Sequence, residues 1–319
     1  MRWFTSHPRI ARLAITGLIL VCMLALFEFS LRAIMGLGNP VIYDSNPIYG
    51  YRLLPDQEVS RFYGSDIRIN NLGLRANEDW DDQVENKILF LGDSVTYGGS
   101  NVSNDELFSY LALRDLDGYK SGNAAVNAWG VANMHGLLVE SEFLPASIYV
   151  TVLLEEDFYR GLTRLQGLPY WNRQPSSAIQ ELFYFSLYEL SLNRYRHWQE
   201  FASSDDEMKI VETAVLMLKE MDDLIDSKGY LHLIFITPTR EQALHNEGKD
   251  ELIRFLLNKH DICVTYVLDV LDRMGLDERE RQELFYDNYH LNRVGHSVYG
   301  EIVGNDLIEL LAEDSAAGP

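Results

Sequence analysis

The chain has 319 residues, 47% of them hydrophobic, and a formal net charge of -21. That length holds one large domain with an appendage. The acidic balance excludes nucleic acid as a partner, because a phosphate polymer would be repelled, and it disfavours adsorption flat onto an anionic membrane. The two cysteines, Cys22 and Cys263, and the eight scattered histidines form no metal-type cluster, so neither a metal nor another cofactor is expected.

Residues 1–12 carry Arg2, Arg9 and Arg12 and precede an uncharged run from Leu13 to Phe27. Apolar character continues past Glu28 to about Met35, so residues 13–35 reach the roughly 20 positions that a bilayer span needs. Glu28 and Arg32 are four apart, which puts them on one helix face where they pair near the interface. Arg32 is the lone nearby positive charge after the run, so the amino terminus belongs in the cytoplasm and the remaining chain outside it, in the periplasm or beyond. No clear small-x-small site follows the run, which favours an uncleaved signal-anchor over a cleaved signal peptide. Cys22 then lies in the membrane, away from Cys263.

Residues 36–86 are rich in turn formers and in aromatics, including Tyr43, Tyr49, Tyr51, Phe62 and Tyr63, and read as a collar packed between anchor and domain. Within it, Asn70 to Arg75 predict a short strand and turn. Residues 87–312 then alternate in a βα rhythm. Strands are predicted at Ile88–Leu91, Asn123–Val126, Ser147–Leu154, Tyr230–Ile236 and Ile262–Leu268. Helices are predicted at Asn104–Leu116, with Asn104 as cap, at Glu207–Asp226 and at Asn292–Leu311. The pattern implies an α/β domain with a mostly parallel sheet covered on both faces, and residues 313–319 read as a flexible tail.

One stretch breaks the rhythm. Residues 160–205 are long, partly basic and aromatic, with Tyr170, Trp171, Phe183, Tyr184, Phe185, Tyr188, Tyr195 and Trp198. Aromatic faces beside arginines suit sugar rings or a partner surface. A helical hairpin burying its aromatics on the core is the competing reading.

The segment Leu91-Gly92-Asp93-Ser94-Val95-Thr96-Tyr97-Gly98 ends a buried strand in a tight turn, which places Ser94 where open α/β sheets bind ligands. Far downstream stands Asp287-Asn288-Tyr289-His290. This ordered pair resembles the SGNH (GDSL) hydrolases, whose nucleophile sits in Gly-Asp-Ser and whose base and orienting acid share Asp-x-x-His. The resemblance runs from about Asn39 to Leu311 and implies a three-layer, flavodoxin-like fold. It also implies a triad of Ser94 as nucleophile, His290 as base and Asp287 as its orienter. Otherwise Ser94 would sit in an ordinary strand-to-loop turn, while Asp287 and His290 would cap a turn and enter a helix. The Asn-x-x-Gly-x-Arg pattern ending at Arg75 is similar to the leader of membrane-anchored bacterial members. His296 reads as a packing residue of the closing helix.

The family's oxyanion donors are the nucleophile's own N–H, a glycine N–H and an asparagine side chain. By resemblance these correspond to Ser94, to Ala128 within Asn123–Gly130, with Gly130 as an alternative register, and to Glu156 within Leu154-Glu155-Glu156-Asp157. Alanine keeps the N–H if it tolerates the backbone conformation. Glu156 is a departure, since an ionised carboxylate cannot donate and repels a developing anion. Three accounts compete: Glu156 is protonated through burial near Asp157 and Asp93, or it points away while Asn127 or Asn133 donates, or the site is weakened. Asn127, Trp129, Tyr170 and Trp171 are candidate substrate contacts.

The expected function is serine-dependent cleavage or transfer of acyl esters, by analogy acetyl groups on an envelope or extracellular polysaccharide. Its partners would be an acylated carbohydrate or other ester substrate, the membrane through the amino-terminal helix, and envelope-assembly proteins. The alternative is a catalytically weakened scaffold that binds glycan or a partner protein.

Overall fold

The computed structural model describes residues 8–141, 144–165, 170–195, 204–245 and 250–317. Arg2, Trp198 and the last two residues of the expected tail lie outside them. The uncharged run belongs to helix α1 (Pro8–Met35), long and apolar enough to cross a membrane. The predicted pair forms: Arg32 Nε donates to Glu28 Oε1 at 2.7 Å. Cys22 and Cys263 are both free.

After α1 come two antiparallel hairpins, β1 (Tyr43–Asn46) with β2 (Gly50–Leu53), and β3 (Gln57–Ser60) with β4 (Asp66–Ile69). Strands β5 (Lys87–Gly92), β6 (Lys120–Asn123), β7 (Ile148–Leu154), β8 (Leu231–Thr237) and β9 (Thr265–Tyr266) form one parallel sheet in the order β6-β5-β7-β8-β9. This is the doubly wound, flavodoxin-like order, and its switch point falls between β5 and β7.

Strands β5 and β7 are buried along their whole length. Alternate side chains pack on opposite faces, as the two-residue strand period requires. Leu89, Leu91, Tyr149 and Leu153 join Val131 and Met134 of helix α3 (Val131–His135), with Val215, Leu218 and Met221 behind them. Ile88, Phe90, Ile148, Val150 and Val152 meet Tyr299, Ile302 and Val303 on the other face. The first face is completed by α5 (Ser204–Ser227) and α6 (Glu251–Lys259), and the second by α7 (Val267–Met274) and α8 (Arg293–Ala317). Helix α4 (Ala178–Tyr195) lies outside these layers and contacts α1.

Several elements differ from the sequence expectation. The predicted helix at Asn104–Leu116 is a 3-10 turn, Asn104–Glu106, and one α-helical turn, Phe108–Leu111. Its cap is Ser103, in a capping box with Glu106, while Asn104 is buried and holds Arg75. Strand β6 ends at Asn123, three residues earlier than its predicted partner run, although Ala124 N and Val126 N still bond to β5 carbonyls. The last strand has only two residues, because Val267, Leu268 and Leu271 form the packing face of α7. Helix α8 continues past Leu311 to Ala317, into the expected tail.

The segment Asn70–Arg75 shows why its pattern has the residues it has. Asn70 Oδ1 accepts from Leu72 N and Leu74 N, both at 3.0 Å, and closes the turn. Gly73 takes a left-handed φ of 74°, and a Cβ there would approach Leu53 O at 2.7 Å. Arg75 N donates to Asn123 O at 2.8 Å, which joins this segment to the sheet edge. The Arg75 side chain, 2% exposed, donates to the carbonyls of Tyr97 and Gly99 at 2.7 Å each, to Val102 O, and to Asn104 Oδ1 at 2.9 Å. Burial lowers its pKa to about 10, so it stays charged at neutral pH. The guanidinium therefore ties down the loop that follows Ser94. Arg75→Met should strand these buried acceptors and destabilise the fold by about 3 kcal/mol, read from denaturant unfolding; a change within error would show that the loop holds itself.

Candidate active site

Strand β5 delivers the chain to a tight turn at its carboxyl end. Gly92 is required there, because a Cβ would collide with Thr96 and come within 2.7 Å of Val152 O. Asp93 caps the short helix α2 (Ser94–Tyr97) by accepting from Val95 N at 2.8 Å, and Gly98 ends it with a φ of 82°. Ser94, the first residue of α2, is left partly exposed at the sheet's switch point.

The Asp287–His290 segment precedes α8, whose start is capped by Asn292 Oδ1 accepting from Val294 N at 2.9 Å. Arg240 N donates to Asn288 O at 2.8 Å, which holds this loop against the segment just after β8. Asp287 Oδ1 accepts from the N–H groups of Tyr289 and His290, at 2.8 Å each. Its Oδ2 lies 2.7 Å from His290 Nδ1, and His290 Nε2 lies 2.9 Å from Ser94 Oγ. The three side chains, almost 200 residues apart in sequence, thus form one continuous hydrogen-bonded chain.

The electrostatics suit that chain. Burial opposes ionisation of Asp287, but the His290 imidazole and the two backbone N–H groups outweigh it and hold the pKa at about 2. Burial alone would lower the His290 pKa; the Asp287 hydrogen bond and charge, with Asp93, raise it above the ordinary histidine value. His296 behaves differently. It is fully buried, stacks on Phe108 at 5.8 Å, and burial drives its pKa down to about 3, which fits a packing residue.

The N–H groups of Ser94 and Ala128 make no hydrogen bond among the described residues. Ala128 has a φ of 60°, the left-handed conformation that favours glycine, so the alanine is tolerated at a cost of about 1–2 kcal/mol. Its turn is braced by Tyr51, whose hydroxyl donates to Asn127 O at 2.6 Å.

Glu156 follows β7 in a 3-10 turn, Glu155–Phe158. Its side chain is 50% exposed rather than buried beside Asp157 and Asp93. Tyr289 Oη donates to its Oε1 at 3.2 Å, and Arg160 Nη2 lies 3.5 Å from its Oε2. Asn133 is no substitute donor: it is fully buried, and its amide donates to the carbonyls of Tyr49 and Thr163 at 2.9 and 3.0 Å. Asn127 Nδ2 donates to Tyr43 Oη at 3.0 Å. Trp129, expected among the substrate contacts, is instead completely buried with Nε1 bonded to Tyr51 O at 2.9 Å, so it packs beneath the site. Tyr170 packs on Tyr43 and Tyr51, with ring centroids 5.4 and 5.7 Å apart. Tyr170 and Trp171 line a cavity of about 140 Å³ together with Tyr43, Tyr97 and Asn127.

Arg160 is the residue that the sequence reading missed. Its Nη1 donates to Asp93 Oδ2 and Trp129 O at 3.1 Å each, and to the fully buried Asp157. Burial alone would lower the Arg160 pKa, but the Asp157 and Asp93 carboxylates outweigh it and raise it. Burial, and then the charge of Asp93, push the Asp157 carboxyl well above its usual range against the pull of Arg160. One guanidinium therefore links the nucleophile turn, the Ala128 turn and the post-β7 turn, and it partly offsets Glu156. Its spacing of three from Asp157 and four from Glu156 was the available signal, but only burial shows the ion cluster.

Neither the protein-family profiles nor the curated proteins yield a match. Among solved structures, the chain is similar to a member of the lipolytic protein G-D-S-L family from Veillonella parvula, at 13% identity and a TM-score of 0.35, over 67% of this chain and 94% of that one. An acetyl xylan esterase matches at 13% identity and TM-score 0.39, over 67% and 96%. A psychrotrophic esterase from Pseudoalteromonas sp., in a structure inhibited by monoethylphosphonate, matches at 12% identity and TM-score 0.38, over 72% and 100%. At such scores the chemistry of the site has to be read from its own geometry.

The His290 environment is directly measurable. Its ring resonances should titrate above pH 6.5 in the protein, and Asp287→Asn should move that midpoint downward by removing the charge that favours imidazolium. An unchanged midpoint would mean that Asp287 does not control this histidine.

Proposed function

We propose that the protein is a serine-dependent acyl-esterase or O-acyltransferase of the SGNH type, anchored by α1 with its domain outside the cytoplasm. The observation that carries this reading is the Ser94–His290–Asp287 chain at 2.9 and 2.7 Å. Ser94 Oγ attacks the ester carbonyl as His290 Nε2 takes its proton. Asp287 keeps the proton of Nδ1 in place and stabilises the imidazolium. The carbonyl oxygen, now anionic, accepts from the free N–H groups of Ser94 and Ala128. The tetrahedral adduct collapses as His290 returns the proton to the leaving alcohol, and the acyl group stays on Ser94. Water or a second hydroxyl then attacks the acyl-enzyme, with His290 again acting as base, and Ser94 is released.

The substrate we assign is an acetylated carbohydrate of the envelope or extracellular matrix. The membrane-length helix would hold the site near such polymers, and in the cavity beside the buried Tyr43 and Tyr97 the half-exposed Tyr170 and Trp171 offer aromatic faces of the kind that sugar rings stack on. Glu156 favours a second reading. A carboxylate in place of a side-chain donor removes stabilisation worth on the order of 10²–10³ in rate, which would leave a glycan- or partner-binding scaffold. Against it stand the intact triad and Arg160, which holds a positive charge beside Glu156.

Hydrolysis of an activated acetyl ester by the full chain in detergent, together with labelling by a fluorophosphonate, tests the choice. Ser94→Ala should abolish both, lowering the rate about 10⁴-fold or more. Glu156→Asn, which supplies an amide donor and removes the carboxylate, should raise the rate about 10-fold. A wild type as inert and unlabelled as Ser94→Ala would sink the enzyme reading. For the substrate, Trp171→Ala should raise KM for an acetylated oligosaccharide and leave hydrolysis of the small ester unchanged; equal effects on both would remove the cavity from recognition.

A further inference from the structure

We infer that helix α4 is a second membrane contact, with Phe183, Leu187 and Leu190 seated in the lipid interface beside the end of α1. The inference rests on reading α1 as a retained membrane span, and it concerns a different part of the molecule from the triad. Its starting point is Glu28. The carboxylate accepts from Ala178 N at 2.8 Å and Ile179 N at 3.0 Å, and so satisfies two of the N–H groups that the first turn of α4 leaves without helical partners.

This contact is locked by its neighbours. Leu31 and Leu37 pack on Ala178, with Ile179, Leu182 and Phe62 around them. Arg61 Nη2 pairs with Glu181 Oε1 at 2.6 Å, and both side chains are less than 10% exposed. Arg61 Nη1 also donates to Gly36 O at 2.7 Å, and Gly38 N donates to Glu181. The start of α4 is therefore held rigidly to the exit of α1.

Depth follows from the sequence of α1. The span takes in residues 13–35, so Glu28 and its partner Arg32 lie in its last two turns, toward the interface, and α4 begins at that depth. Among the described residues, α4 leaves the preceding turns of α1 uncovered: Leu24 and Phe27 are 58% and 48% exposed. Contact with the end of α1 continues to Leu182 in the second turn of α4.

The face that α4 turns away from the protein carries three large apolar side chains, interrupted by Ser186, which returns its hydroxyl to Leu182 O. Ala178, Glu181 and Leu182 pack inward, whereas Phe183, Leu187 and Leu190 are 59%, 43% and 72% exposed. Their spacing, i, i+4 and i+7, makes one stripe on a helix. An exposed stripe of this kind, continuous with a membrane span and starting at interface depth, fits a lipid bilayer. Attraction to anionic headgroups is not the driving force, because the chain carries a net charge of -21. Burial of the apolar stripe is. Phe185 and Glu181 of the same helix line the aromatic cavity, so this seat would present the cavity close to the membrane surface.

The test uses the full chain in neutral phosphatidylcholine vesicles with single fluorophore-labelled cysteines and nitroxide-bearing lipids. Native Cys22, in a Cys263→Ala background, reports whether the span is in the bilayer. Leu190→Cys, Phe183→Cys and, as a distant surface control, Glu301→Cys are made with both native cysteines replaced by alanine. The labels at 183 and 190 should lose roughly half of their emission to shallow lipid nitroxides and resist aqueous iodide, at low and high salt alike. The label at 301 should respond to iodide alone. Quenching at Cys22 with iodide-accessible labels at 183 and 190 would overturn the α4 contact and leave the anchor standing. Loss of lipid quenching at Cys22 as well would overturn both. Quenching at 183 and 190 that needs anionic lipid or vanishes in salt would overturn burial as its cause.

Discussion

Everything in the candidate site hangs from two parallel strands, β5 and β7, that lie side by side and are buried on both faces. Because they neighbour each other at the point where the strand order reverses, the turns that leave their carboxyl ends open toward one crevice. The first turn carries Ser94, and the second carries Glu156, Asp157 and Arg160. Close packing of the two strands also dictates small residues at the exit, which is why Gly92 cannot gain a side chain. The reactive geometry is thus inherited from sheet packing, and loop contacts refine it.

Two arginines do much of that refinement, each by gathering backbone oxygens or carboxylates from segments distant in sequence. Arg75 binds the loop after Ser94 from below, through Tyr97, Gly99 and Val102. Arg160 binds Asp93, Trp129 O and Asp157, and so couples the three turns that surround the nucleophile. A planar guanidinium with five fixed donors suits this task, and a lysine would not reproduce it. Arg160 also changes the meaning of Glu156. A bare carboxylate presents a full negative charge, whereas one shared with a guanidinium and the Tyr289 hydroxyl presents a smaller field.

The membrane-length helix is built into the same scheme. Its exit is capped onto α4 through Glu28 and clamped by the buried Arg61–Glu181 pair, so its end is packed into the folded domain. A buried pair of this kind contributes little net stability, but it fixes direction, because either partner alone would be an uncompensated buried charge. The aromatic cavity lies between these contacts and the Ala128 turn, with Phe62, Phe185 and Asn127 on its walls.

What the sequence determined by itself was local and periodic. Apolar runs marked β5, β7 and β8, the 3.6-residue pattern marked α5, and the uncharged stretch marked α1, since strand and helix burial are written at short range. The pairing of Ser94 with Asp287 and His290 was legible from order and motif. Tertiary structure decided the rest. Residues Asn104–Leu116 read as one helix, but Asn104 is occupied by Arg75, and the extended Leu107 divides the segment. Val267 and Leu268 read as strand, but the sheet edge needs only two residues and their apolar side chains pack better from a helix. Trp129 read as a substrate contact because aromatic residues near a site attract ligands, but its indole is the floor of the Ala128 turn. Arg160 read as the start of an insertion. Its function depends on burial beside carboxylates from two strands' ends, and no one-dimensional pattern encodes which charges the fold will bring into one low-dielectric pocket.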